Sequence, residues 1–229
     1  MPYTALLLDL DHTLLDSDAS EAQAFDHALA SAGVADPGRY LPDYLEINRA
    51  LWALVERGEL SALHLRTARF ARLVETTGIA ASPAALADAF SHGLGAFGEL
   101  YPGVRDVLDA LAAAPSVALA LVTNGLSEVV RARLARLDLA RYFRVVAISS
   151  ELGTAKPAAA IFEHTLAGLG SPARVSTLMV GDSLSSDIQG GRNAGIATCW
   201  YNPHRRAGGA GLADHEIATH DALLALVGA

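Results

Sequence analysis

The chain has 229 residues, 52% of them hydrophobic, a single cysteine and a net charge of -8. That length supports one good core, or a core carrying a smaller insertion, and the apolar content argues against disorder. The acidic balance argues against a nucleic-acid polymer as partner, since that contact needs a basic face, yet a small phosphorylated ligand held by a metal and a few local cations remains open.

No apolar run approaches bilayer length, and the N-terminus enters a strand without a basic start or cleavage site, so a soluble, cytoplasmic chain with no membrane partner is expected. Cys199 excludes an internal disulfide and sits in an apolar, strand-like segment as a small core residue. Of the 17 Lys+Arg residues only Lys156 is lysine. In a chain that otherwise uses arginine, this exception points to a place that needs a compact ammonium rather than a planar fork.

Residues 5–8, Ala-Leu-Leu-Leu, form a continuous apolar run, as in a parallel strand covered on both faces. The run ends in acid: Asp9 and Asp11 stand two apart, on one side of an extended chain, with Thr13 at the turn. A connector over residues 14–17 leads to helical spacing in Phe25, Ala28, Leu29 and Ala32, which stops at Gly33. Further helical runs carry Tyr44, Ile47, Leu51 and Leu54, then Leu63, Phe70, Leu73 and Val74. A fourth opens at Ser82-Pro83, an N-cap followed by proline at the first helical position. Four helices with no strand between them make an insertion of roughly 80 residues. Strand and helix alternate again from Tyr101-Pro102-Gly103, with a helix on Val104, Val107, Leu108 and Leu111. Strands are expected over residues 117–122, 145–148, 177–180 and 196–200, a weak one over 216–218, and a last helix over 221–227. The glycine-rich stretch 208–211 reads as a surface loop, and Arg205-Arg206 as a solvated pair. The fold class is therefore α/β, a Rossmann-like, mostly parallel sheet with an inserted helical domain.

Each strand end offers something a phosphoryl-transfer site uses. Asp9 and Asp11 follow the first strand, where open α/β sheets bind ligands, although Asp-x-Asp is also ordinary turn chemistry. Thr123-Asn124-Gly125 joins a hydroxyl, backbone amides and a permissive glycine, a cradle for an oxyanion or a plain loop before an N-cap. Lys156 precedes Pro157 in a loop. Gly181-Asp182 ends a strand and Asp187 follows at a helix start, where acid also suits the helix dipole. One site explains all of these more simply than separate coincidences.

In this order DLDHT, TNG, the lysine of GTAKP, and GDSLSSD resemble the four motifs of the haloacid dehalogenase (HAD) superfamily of phosphohydrolases, over essentially the whole chain. The resemblance implies a HAD core at residues 1–16 and 99–229 and a helical cap at 17–98. It implies Asp9 as nucleophile, Asp11 as general acid and base, and Thr123, Asn124 and Lys156 as phosphate ligands. Lys156 would also pair with Asp9. It implies Mg²⁺ held by Asp9, the backbone carbonyl of Asp11 and Asp182, with waters held by Asp187. True dehalogenases of the superfamily lack the second carboxylate and the metal, so Asp11 and Asp182 favour a phosphatase. Many relatives carry glycine where this chain has His12; backbone tolerance explains the change more simply than a switchable charge.

The stretches YLEINRALWALVERGELSALHLRTARF (residues 44–70) and LMVGDSLSSDIQGGRNAGIATCWYN (178–202) are similar to bacterial pyrimidine 5'-nucleotidases of the YjjG type. This implies a nucleoside monophosphate as substrate, with a sugar-phosphate or phosphoglycolate phosphatase as the rival. A non-enzymatic phospho-acceptor domain stands further off, because its acceptor lies on a middle strand and it lacks a helical insertion. The expected state is a monomer or small homo-oligomer. On the insertion, Asn48 and Trp52 share a helical face that could meet a base, and Arg66, Arg69 and Phe70 offer similar chemistry. Packing accounts for the aromatics and solvation for the arginines, so these stay outside the candidate set.

Overall fold

The computed structural model describes residues 3–209 and 211–228. Ala210, within the expected glycine-rich loop, and Met1, Pro2 and Ala229, within the expected core bounds, lie outside the described residues. All four residues of β1 (Ala5–Leu8) are buried, because the strand is covered on both faces. Leu6 and Leu8 pack with Val107, Leu111 and Leu134 in one apolar cluster, while Leu7 packs with Ile161, Phe162 and Met179 in another. The two-residue repeat of an extended chain sends alternate side chains to opposite layers.

β2 (Ala118–Thr123), β3 (Val145–Ile148), β4 (Thr177–Gly181), β5 (Ala197–Tyr201) and β6 (His215–Ile217) complete a six-stranded sheet. The order is β3-β2-β1-β4-β5-β6 and every neighbouring pair is parallel. From β1 the chain goes first to one side of the sheet and later to the other, so the gap between β1 and β4 is the switch point, where such sheets bind ligands. Cys199 is buried in β5, and burial pushes its thiol up to about 12, as suits a small core residue.

Four helices follow β1 with no strand between them among the described residues: α1 (Ser17–Ser31), α2 (Leu41–Glu56), α3 (Ala62–Thr77) and α4 (Pro83–Ala96). Asp16, Ser61 and Ser82 cap α1, α3 and α4 through their side chains. These helices have an apolar centre of their own, built on Phe25, Tyr44, Phe70 and Phe90, with ring centroids 4.7 Å apart for Phe25 and Tyr44 and 5.3 Å for Phe70 and Phe90. The chain leaves and returns side by side: Asp16 N–H donates to the Glu99 carbonyl at 3.0 Å and Tyr101 N–H to that of Leu14 at 3.0 Å.

On the sheet side follow α5 (Val104–Ala113), α6 (Ser127–Arg136), the short α7 (Ser149–Leu152), α8 (Ala159–Gly168), α9 (Gln189–Asn193) and α10 (Ala222–Val227). A single π-helical turn, Leu184–Ile188, precedes α9. The single turns α7 and Leu184–Ile188 carry too few residues for an apolar repeat, so periodicity does not announce them. No described helix is long and apolar enough to cross a membrane.

α1 and α4 touch closely, and a Cβ on Gly93 would lie 2.9 Å from the Ala24 Cα. Alanine improves helix propensity by roughly 0.5–1 kcal/mol, whereas overpacking against backbone costs about 1–3 kcal/mol. Gly93→Ala should therefore lower the denaturant midpoint; an unchanged or raised midpoint would mean that the helix pair has slack at this point.

Candidate active site

The candidate side chains gather where β1, β2 and β4 end. Asp9 follows β1, its N–H donating to Val180 of β4 at 3.0 Å, so the sheet ladder itself sets its position. Its carboxylate is buried and meets Lys156, whose Nζ donates to Asp9 Oδ1 at 2.5 Å, Asp187 Oδ1 at 2.7 Å and the Val122 carbonyl at 2.8 Å. All three ammonium protons are thereby used. Asn124 fixes the lysine's backbone from both sides: its Oδ1 accepts from Lys156 N–H at 2.8 Å and its Nδ2 donates to the Lys156 carbonyl at 2.8 Å.

Asp187 reaches the same place from the π-helical turn. Its other oxygen accepts from Ser183 N–H at 3.0 Å. Glycine at 181 permits this fold-back, because a Cβ there would stand 2.2 Å from the Asp187 carboxyl carbon. Thr13 joins two strand ends, donating to Asp9 Oδ2 at 3.3 Å and accepting from Asp182 N–H at 3.1 Å. His220 holds Thr13 in turn, its Nε2 donating to the Thr13 carbonyl at 2.6 Å. Thr123 is buried, and its hydroxyl takes no partner among the described residues. An unpaired buried hydroxyl costs about 1–3 kcal/mol, so one kept in a cavity wall is suited to an incoming acceptor.

Electrostatics separate the carboxylates. One oxygen each of Asp9, Asp182 and Asp187 lies within 4.8 Å of the others. Burial, then the charge of Asp187, push Asp9 up to about 7 against the pull of Lys156. Burial and the charge of Asp9 push Asp182 up to about 6, and burial raises Asp187 as well. Burial alone would lower Lys156, but Asp187 and Asp9 outweigh it and raise its pKa above the ordinary lysine value. Three crowded hard oxygen donors facing one ammonium fit a further small divalent cation.

Asp11 lies beyond the end of β1, so strand geometry does not extend to it, yet it lines the same cavity as Asp9. Its carboxylate accepts from Arg133 Nη1 at 2.6 Å and from the Ser17 hydroxyl at 2.6 Å. Burial works to raise its pKa, but Arg133, Ser17 and His12 prevail and hold it below the usual carboxylate range. Arg133, itself buried, also donates to the Leu94 carbonyl at 2.7 Å and the Ser20 hydroxyl at 3.0 Å, tying α6 to α4 and α1. His12 has φ +58°, the left-handed region that favours glycine. Burial lowers its pKa, but the carboxylates of Asp11, Asp182, Asp18 and Glu21 raise it overall.

Thus Asp9, Thr123, Lys156, Asp182 and Asp187 come together, with Asp11 beside them. The Asn124 carboxamide is spent on the lysine backbone, so any contact of this residue with phosphate falls to its backbone amide. Asp187 in addition pairs directly with Lys156. Arg205 and Arg206 are both exposed, as expected of a solvated pair, and Arg206 in addition donates to the Asp182 carbonyl at 3.0 Å and lies 3.5 Å from its carboxylate. Arg133 and His220 were not foreseen. Arg133 was detectable, because it shares the apolar face of α6 with Val129, Val130 and Leu134, where an arginine needs a buried partner. Nothing local marks His220, which is brought to Thr13 over 207 positions of chain.

The family of haloacid dehalogenase-like hydrolases matches residues 3–195. The chain belongs to this family. It is 42% identical over 204 residues to the pyrimidine 5'-nucleotidase PynA of Streptococcus pneumoniae, covering 89% of this chain and 86% of the relative. It is 33% identical over 213 residues to the pyrimidine 5'-nucleotidase YjjG of Escherichia coli, covering 93% and 92%. The magnesium-bound crystal structure of the HAD-hydrolase YfnB from Bacillus subtilis superimposes with a TM-score of 0.91 at 29% identity over the full length of both chains.

Lys156→Met leaves the Asp9 and Asp187 carboxylates buried without their cation, and breaking a buried ion pair from one side costs about 3–5 kcal/mol. Chemical denaturation should show that loss, and a change below about 1 kcal/mol would mean that the pair is not held as described.

Proposed function

We propose that the chain is a phosphomonoester hydrolase that works through an aspartyl-phosphate on Asp9 and takes pyrimidine nucleoside 5'-monophosphates. The observation that carries the chemistry is the meeting of Asp9, Lys156 and the unpartnered Thr123 hydroxyl in one cavity. The substrate class rests on the likeness to PynA and YjjG over most of the chain. Residues 17–98 act as a cap over a core of residues 1–16 and 99–229. Support for that division is the separate aromatic centre of α1 to α4 and the hydrogen-bonded segments by which the chain leaves and returns. On this reading the enzyme works on small nucleotides in the cytoplasm.

In the first half-reaction an Asp9 oxygen attacks phosphorus, the bond from phosphorus to the nucleoside oxygen breaks, and Asp11 gives that oxygen its proton. Lys156 and the Thr123 hydroxyl stabilise the equatorial oxygens, and the Asn124 carboxamide positions Lys156 through its backbone. Asp11 must be protonated for this step, and a phosphate dianion in the cavity shifts its titration in that direction. In the second, Asp11 takes a proton from water, which displaces the phosphoryl group and regenerates Asp9. Pairing with Arg133 keeps Asp11 ionised, the form that this step uses. Mg²⁺ would be held by Asp9, Asp182, Asp187 and the backbone carbonyl of Asp11, and it would supply the charge that lets a carboxylate approach a phosphate dianion.

Phosphate release from UMP, dUMP, dTMP and ribose 5-phosphate tests the reading. The nucleotides should be preferred, release should require Mg²⁺, and Asp9→Asn should abolish it. Preference for the sugar phosphate would overturn the substrate class alone, whereas equal turnover by Asp9→Asn would overturn the mechanism. Asp11→Asn should lower kcat by about 10²- to 10⁴-fold.

A pH test follows from the carboxylates. Asp9 and Asp182 bind protons more tightly in the folded than in the unfolded chain, so their share of stability is present at low pH and lost as pH rises from about 4 to about 7. Mg²⁺ offsets the loss by binding the ionised forms. It should therefore raise the melting temperature by roughly 5 °C or more at about pH 7.5, and by much less at about pH 5. An equal rise at both values would place the cation elsewhere.

A further inference from the structure

The cavity over Asp9, about 530 Å³, has a second polar wall that phosphoryl transfer does not use. Glu21 from α1, Asn48 from α2 and Arg69 from α3 all line it. Asn48 spans the other two: its Nδ2 donates to Glu21 Oε1 at 2.6 Å and its Oδ1 accepts from Arg69 Nη1 at 3.2 Å. The Tyr44 hydroxyl reinforces the link, donating to Glu21 Oε1 at 2.8 Å and accepting from Arg69 Nη1 at 3.3 Å. Arg69, expected to be solvated, is only 3% exposed and stacks over the Phe90 ring at 4.5 Å.

Three polar atoms are left over. Among the described residues Glu21 Oε2 and Arg69 Nη2 take no hydrogen-bond partner, Arg69 Nε is buried without one, and no carboxylate lies within ion-pair distance of the guanidinium. A buried guanidinium without a carboxylate partner is costly unless something else meets it. Asn48 and Tyr44 cannot swing to help, because both are already spent on holding Glu21 and Arg69 at a fixed spacing. The wall therefore offers one acceptor and one donor side by side.

Resting on the nucleotidase reading, we propose that Glu21 and Arg69, positioned by Asn48 and Tyr44, form the subsite that reads the edge of the pyrimidine base. Uracil and thymine present an N3–H beside a carbonyl oxygen, and cytosine presents an amino group beside N3. Each is a donor next to an acceptor and matches the pair. Trp52 and Leu45, which also line the cavity, offer apolar surface to the ring. Ribose 5-phosphate lacks this edge altogether, and methylation at N3 of uracil removes the donor that Glu21 would accept.

The test compares kcat/KM for UMP, N3-methyluridine 5'-monophosphate and ribose 5-phosphate on the intact enzyme. A hydrogen bond to a charged group of this kind corresponds to about a 10- to 100-fold effect, so the N3-methyl nucleotide should fall below UMP by that factor. In Glu21→Gln the amide oxygen must take over the bonds from Tyr44 and Asn48, which turns a donor toward the base. In Arg69→Met the donor is gone. Each variant should lower the ratio of UMP to ribose 5-phosphate by about tenfold or more. A merely structural role would lower both substrates alike and keep the ratio, which would overturn the proposal. If Arg69→Met fails to fold, the N3-methyl comparison on wild type decides. Equal use of UMP and its N3-methyl form by an enzyme that prefers UMP to ribose 5-phosphate overturns the subsite but leaves the nucleotidase reading intact. Preference for ribose 5-phosphate overturns both.

Discussion

The site depends on one buried ammonium. Lys156 gives its three protons to Asp9, Asp187 and the Val122 carbonyl, and so joins the ends of β1 and β2 to the turn after β4. Burying a carboxylate without such a partner would cost several kcal/mol or force it to protonate, and a protonated Asp9 could not attack phosphorus. Three donors on a tetrahedral nitrogen suit three acceptors from different directions, which a planar guanidinium does not match. The lone lysine among the chain's arginines thus has a geometric reason. Even with it, burial and mutual repulsion keep the carboxylates above their ordinary pKa, so the site retains an appetite for positive charge.

Around that ammonium the structure is arranged in two levels. The sheet fixes the reacting groups through backbone bonds and through Thr13, which bridges Asp9 and Asp182. The helical unit contributes a wall that differs in kind, with polar groups drawn from three helices and joined through Asn48. Arg133 connects the levels, since it touches Asp11, the Leu94 carbonyl of α4 and Ser20 of α1 at once. Asp11 and the helices α1 and α4 are therefore held by the same side chain.

Much of this was legible in the chain. The strands fell within a residue of their expected bounds, because short apolar runs bounded by turn residues leave little freedom in register. Asp9 and Asp182 follow strand ends, Thr123 closes β2, and Lys156 and Asp187 stand in the connections beyond β3 and β4, an order in which topology and motif agree. That the Asn124 carboxamide serves the lysine is not written locally; which way an amide turns is decided by partners 32 positions away. His220 and Arg206 act across the C-terminal part of the fold, and no local pattern records such contacts. Arg69 looked like surface because arginine usually is, and only the closing of α1, α2 and α3 around it shows otherwise.

The account turns on Asp9 carrying the phosphoryl group. Mass spectrometry of acid-quenched enzyme during turnover of UMP with Mg²⁺ reads this directly, ideally in Asp11→Asn, which slows attack by water. The account predicts one added phosphoryl group on the peptide that contains Asp9. Turnover without a phosphorylated peptide in either form, or phosphorylation at another residue, would contradict it.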